Sequence, residues 1–145
     1  MKHLKLYEQF NENDPFGEEI EYIKPDGTFL YWLKINCPDE NIWNKITIID
    51  CSNKNLTSLE GIENLVNLKI LYCYMNRLTS IEGIKLKNLV NLERVDCHSN
   101  QLTNLEGIED LVNLKDLYCD NNQFTIVYKN YLKNYCKKRS ITLEI

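Results

Sequence analysis

The sequence predicts an α/β solenoid. Short parallel strands form its concave face, turns or 3₁₀ segments form its convex face, and a capping segment closes each end. Three observations predict it. One sequence block recurs four times between Ile46 and Val127. Within each block, apolar residues fall at i, i+3 and i+5, which suits an extended segment that enters the core and then alternates inward. An asparagine and a glycine recur at fixed places, where the chain must turn and its backbone groups need partners.

The four blocks are residues 46–59, 68–81, 92–105 and 114–127, and they share the form L-x-x-L-x-C-x-x-N-x-L-T-x-L. Cys51, Cys73, Cys97 and Cys119 mark the register, with spacings of 22, 24 and 22. The linking segments carry Glu60-Gly61-Ile62, Glu82-Gly83-Ile84 and Glu106-Gly107-Ile108, each followed by a variable link and L-V-N-L. The longer unit holds a two-residue insertion around Lys85-Leu86-Lys87. Stacking the units aligns Asn76, Asn100 and Asn122 into a ladder whose amides accept from and donate to the backbone of adjacent turns. Lys54 stands at that position in the first unit, so the ladder starts at the second. Gly61, Gly83 and Gly107 mark a tight convex return.

This form resembles the leucine-rich repeat, in the short 22-residue type of protein-phosphatase regulators and bacterial internalins. The resemblance covers residues 46–127. It implies a curved stack with a parallel sheet inside, and a protein-interaction module rather than an enzyme.

A repeat stack exposes apolar ends and needs caps. Residues 1–45 and 128–145 are read as those caps. Glu21 to Ile35 reads as two strands around a Pro25-Asp26-Gly27 turn. Trp43 is placed to cover the first repeat. Tyr128 to Arg139 reads as a helix with Leu132, Tyr135 and Cys136 on one face, and Ile141 to Ile145 alternates like a fifth strand with Thr142 and Glu144 outward. The Lys137-Lys138-Arg139 run reads as a solvated helix end, favourable at a helix C-terminus.

Composition narrows the function classes. The chain has 145 residues and a formal net charge of −4. That is one ordinary domain, large enough to bury a core. The mild acidity argues against a nucleic-acid surface. The chain has no run of 18 apolar residues, so no membrane span is expected, and its first residues carry no signal-peptide core. Six cysteines are too few for a disulfide scaffold, and the expectation is a cytoplasmic monomer with reduced thiols. Asparagine occurs 19 times and alanine not at all, a bias that AT-rich coding would also produce.

The four repeat cysteines form a line on in-register strands about 4.8 Å apart, which cannot surround one zinc ion tetrahedrally. They read as small buried hydrophobes, with Cys37 and Cys136 packed in the caps. Strand alternation puts His98 and Cys97 on opposite faces, a poor nucleophile–base pair. No phosphate loop, hydrolase triad or metal-ligand spacing occurs, so no cofactor is implied.

The outward strand positions carry the functional expectation. The first column is Ile48, Ile70, Arg94 and Asp116. The second is Asp50, Tyr72, Asp96 and Tyr118, and the third is Ser52, Tyr74, His98 and Asp120. Asn53, Met75, Ser99 and Asn121 lie beside the third. Tyrosine, arginine and methionine beside carboxylates match the composition of protein-binding hot spots. Ile70, Tyr72, Tyr74, Arg94, Asp96, His98, Asp116, Tyr118 and Asp120 are therefore the candidate partner-binding residues. Cross-strand packing is the competing role for these positions. Four or five strands make a face roughly 20–25 Å wide, smaller than a standard interface. It suits a peptide or loop, unless a cap or the rim at Arg77, Gln101 and Gln123 also contributes. A self-assembling repeat protein, and a viral or microbial effector directed at host machinery, remain open alternatives.

Overall fold

The computed structural model describes residues 27–81 and 85–145. Five three-residue strands form one sheet: β1 (Ile48–Asp50), β2 (Ile70–Tyr72), β3 (Arg94–Asp96), β4 (Asp116–Tyr118) and β5 (Thr142–Glu144). They stack in chain order, and every pairing is parallel. Equivalent repeat positions are partners, so Ile49, Leu71, Val95, Leu117 and Leu143 form one inward row. The sheet is open, and the fold is an α/β repeat solenoid.

The strands are short because each block turns soon after its cysteine. The ladder runs one step further, with Cys51, Cys73 and Cys97 donating their backbone N–H to Tyr72, Asp96 and Tyr118 carbonyls at 2.8–2.9 Å. Asn53, Met75, Ser99 and Asn121 then take left-handed backbone angles, with φ of 56°, 54°, 53° and 52°. Asparagine tolerates that region best, and Met75 holds it only because the stack on both sides repeats the same turn.

The asparagine ladder satisfies the backbone left open by that turn. Asn76 accepts from the N–H groups of Lys54 and Leu56 and donates to the carbonyls of Cys51 and Cys73. Asn100 accepts from Leu78 and donates to Cys73 and Cys97. Asn122 accepts from Leu102 and donates to Cys97 and Cys119. Asn76 and Asn100 are buried, and a second, more exposed asparagine row lies at the opposite corner of the coil. There Asn67 reaches Asn44 O, Asn91 reaches Val66 O, and Asn113 reaches Val90 O.

The core runs along the stack as rows of leucine, with the four repeat cysteines as one further buried row. Burial pushes all four thiols up, Cys119 to about 12. The row packs as small apolar residues. On the convex side the chain makes 3₁₀ turns at Ile62–Asn64, Leu86–Asn88 and Ile108–Asp110. Gly61 opens the first of these turns with φ of 97°. A Cβ there would meet Leu30 Cβ at 2.7 Å, so this glycine also lets the N-terminal segment sit close. Gly83 lies outside the described residues.

The N-terminal segment departs from the hairpin expectation. Thr28 to Ile35, read as the second arm of the hairpin, falls at helix α1 (Phe29–Asn36) and its N-cap, and residues 21–26, the first arm with most of the turn, lie outside the described residues. The Thr28 side chain accepts from the Tyr31 N–H at the helix start, and Phe29 and Leu33 bury completely at i, i+4 spacing. The cap and the buried face outweigh the strand preference of Phe29, Tyr31 and Trp32. The backbone N–H groups of Phe29 and Leu30 bond the carbonyls of Ser58 and Glu60, tying α1 to the first repeat. Trp43, in a 3₁₀ turn over Glu40–Lys45, is buried and donates its indole N–H to Cys37 O at 2.9 Å.

At the other end, α2 spans Ile126–Arg139 and buries Leu132 and Cys136. Thr125 caps its start, and Ser140, left-handed at φ 55°, ends it. The Tyr128 hydroxyl accepts from the Leu105 N–H at 2.8 Å, so the cap satisfies a backbone donor of the last repeat. Arg139 is not simply solvated: it donates to Val112 O and to the Tyr135 hydroxyl. The chain then returns as β5, with Thr142 and Glu144 outward. No helix among the described residues is long and apolar enough to cross a membrane.

Candidate functional site

Each strand presents two outward side chains flanking one inward residue, and the residue two past the strand adds a third. In-register pairing therefore arranges the candidate residues as a grid. Ile70, Arg94 and Asp116 share its first column with Ile48 and Thr142. Tyr72, Asp96 and Tyr118 share the second with Asp50 and Glu144. All nine candidates are half-buried, the exposure of side chains that lean on their neighbours while keeping one surface open.

Specific contacts hold the grid in place. Arg94 Nε and Nη2 both donate to Asp116 Oδ2, at 3.1 and 2.8 Å, across the β3–β4 step. The Arg94 guanidinium holds the Asp116 carboxyl below the usual carboxylate range; burial opposes this, and Thr142 adds to it. Arg94 is in turn raised by Asp116 first and Tyr72 second. Its guanidinium also lies 5.8 Å from the Tyr118 ring centre. One step along the third column, the Tyr74 and His98 rings stack at 4.6 Å and 9°. His98 Nδ1 lies 2.6 Å from Asp96 Oδ1. Arginine, histidine and two tyrosines are thus ordered before any partner arrives.

Met75, 54% exposed, adds an apolar surface beside the third column. Asp50 and Glu144 also stand exposed on the face, although neither was among the candidates. The alternation of Ile141 to Ile145 was the signal for Glu144, since a fifth strand in register must place it beside Tyr118. The Lys115–Glu93 pair at 2.6 Å, just before the strands, was missed as well. It follows from the same repeat register once equivalent positions are seen as neighbours. Arg77, Gln101 and Gln123 are exposed along the adjoining turn.

An open cavity of about 440 Å³ lies away from the strands, lined by Asn104, Glu106, Glu109, Tyr128 and Tyr131. Tyr131 donates to Glu109 there, and that bond raises the Tyr131 hydroxyl to about 12. Tyr128, Tyr131 and Tyr135 form a row of rings along α2 with centre distances of 5.6 and 6.2 Å. These contacts join α2 to the last convex turn.

An in-register parallel sheet, a buried asparagine ladder and glycine-opened 3₁₀ turns define a repeat solenoid of the leucine-rich class. The chain belongs to the leucine-rich repeat family: the family model described as leucine-rich repeats in two copies matches residues 44–88 and 90–130. Proteins of this family generally mediate protein–protein interaction, and they are generally not enzymes. Among solved structures, the chain is similar to a leucine-rich-repeat protein of Leptospira interrogans, with 26% identity and a TM-score of 0.63. That match covers 69% of this chain and 25% of the other. It is also similar to an internalin of Listeria monocytogenes, with 24% identity and a TM-score of 0.57, over 66% of this chain and 27% of the other. The chain spans about a quarter of the length of these two structures. No curated protein matches it in sequence.

Proposed function

We propose that the chain is a non-enzymatic protein-binding module whose concave strand face takes an extended segment of a partner protein. The observation that carries this reading is the row of half-buried tyrosines, Tyr72, Tyr74 and Tyr118, standing outward on a sheet whose other side is the core. Tyrosine offers a large contact area for little lost rotamer freedom. The stack of Tyr74 on His98 and the Arg94–Asp116 pair lower the ordering cost further. Such a surface recognises by rigid fit, and the mild net charge of the chain leaves a protein segment as the natural partner. Rim residues Arg77, Gln101 and Gln123 lie where a longer partner would extend beyond the strands.

The test pairs affinity capture from lysate of the source organism with a Tyr72→Ala, Tyr118→Ala double variant. The variant should keep the circular dichroism spectrum of the parent and bind the captured partner more weakly by over ~1 kcal/mol. Unchanged affinity would overturn the reading.

A further inference from the structure

We infer that the segment taken by the concave face is apolar at one end and carries lysine or arginine at the other, and that it lies across the strands in a fixed direction. The inference rests on the concave-face reading above and concerns the chemistry of the partner.

The face is divided. Over β1 and β2 it presents Ile48, Ile70, Tyr72, Tyr74 and the exposed Met75, with Asp50 as the one charged strand residue. Over β3 to β5 the same columns turn acidic, with Asp96, Asp116, Asp120 and Glu144 against one cation, Arg94. That cation is already committed, since it donates twice to Asp116, also bonds Tyr72, and its guanidinium leans over Tyr118. Among the described residues, Asp96 meets only His98 within ion-pair distance. Asp120 and Glu144 have no cationic partner among the described residues. The acidic half therefore holds an excess of negative charge that the described residues do not neutralise. Concave surfaces focus such a field, and a positive segment relieves it while like charge is repelled. The apolar half has the opposite demand, because Ile70 and Met75 gain only from covering by carbon.

Reach agrees with this arrangement. Five strands about 4.8 Å apart span roughly 19 Å from β1 to β5, the length of about six extended residues. One short segment can therefore place an apolar side chain over Ile70 and Tyr72 and a cation beside Asp120 and Glu144. The division also sets the direction, since reversing the segment would put the cation over Met75 and carbon over the carboxylates.

The experiment selects a phage-displayed random decapeptide library against the full chain and sequences the enriched peptides. Their affinities are then measured by fluorescence anisotropy for the parent, for an Asp120→Asn, Glu144→Gln variant and for the tyrosine double variant. The expected peptides carry an apolar cluster at one end and lysine or arginine at the other. They should lose about three- to tenfold in affinity to the carboxylate variant, and weaken as salt is raised from about 0.05 to about 0.5 M. Peptides that need Tyr72 and Tyr118 but carry no cationic end, or that bind the carboxylate variant as well as the parent, would overturn the charge inference and leave the concave-face reading standing. Peptides indifferent to both variants, or a selection that enriches none, would overturn the concave-face reading and this inference with it.

Discussion

The two faces of each strand obey different rules. Inward, the positions hardly vary: Leu71, Val95 and Leu117 form one row, and Cys73, Cys97 and Cys119 the next. Outward, the same strands run from isoleucine through arginine to aspartate in one column. The inward side must match the neighbour above and below, so a change in one unit opens a void or strands a backbone group. The outward side has no such neighbour to satisfy and is open to carry a partner's chemistry. The contrast predicts that inward changes cost stability and that outward changes leave it nearly intact.

The largest effect expected is on thiol access. Burial raises the pKa of Cys51, Cys73, Cys97 and Cys119, so a thiol reagent near pH 8 should modify them only through unfolding. Mass spectrometry should find them at least ~10³-fold slower than in denatured protein. Labelling of the native chain at the denatured rate would show that the row is not a packed interior.

Next comes the ladder. Asn100→Ala strands the buried Leu78 N–H and takes one of two asparagine donors from each of the Cys73 and Cys97 carbonyls, which keep Asn76 and Asn122. Unfolding in urea should report a loss of about 2–3 kcal/mol, mostly the about 1–3 kcal/mol of the one stranded buried group, with a smaller share from the two weakened carbonyls. The same change at Asn91, which is half-buried and bonds one carbonyl and one side chain, should cost less than about 1 kcal/mol. Equal losses at the two asparagines would break the distinction between buried and solvated ladders.

An outward substitution should do less to stability. Tyr74→Ala loses the stack on His98 and should lower stability by under ~1 kcal/mol in the same measurement. A loss as large as that of Asn100→Ala would mean that the outward aromatics are packing residues, the competing role considered for these positions.

The smallest effect concerns Asp116. Its folded pKa lies below the ordinary carboxylate value because of Arg94. The pair thus contributes to stability above the unfolded value near 3.9, and that contribution disappears as pH falls through the lower folded value. Both partners are partly exposed, so the amount should stay below about 1 kcal/mol. Asp116→Asn should remove this acid-side dependence. A variant whose pH profile matches the parent would mean that the pair adds nothing to folding.

The repeat was legible because stacking imposes the same demand on every unit. Three asparagines at one offset, four cysteines at another and glycine before the convex turns follow from geometry that recurs, so a single chain shows it four times over. Register then located the outward grid, including every candidate residue. The ends were less legible because nothing in them repeats. The stretch up to Ile35 read as a strand after the Pro25-Asp26-Gly27 turn, yet Thr28 and the i, i+4 pair Phe29 and Leu33 made it a helix once the first repeat offered a surface. Helix and strand compete closely over so short a stretch, and burial against a neighbour settles which one forms.

The sequence by itself therefore determined the stack: its family, the order and register of its strands, and the residues facing in and out. Only the tertiary structure decided how the outward residues use one another. Arg94 pairs with Asp116 across one strand step, His98 closes on Asp96 and stacks on Tyr74, and Asp120 and Glu144 are left with no cationic partner among the described residues. Periodicity fixes which residues are neighbours, because backbone hydrogen bonds lock the register. Which neighbours join is a matter of side-chain reach and charge, and those are settled only when all the strands stand side by side.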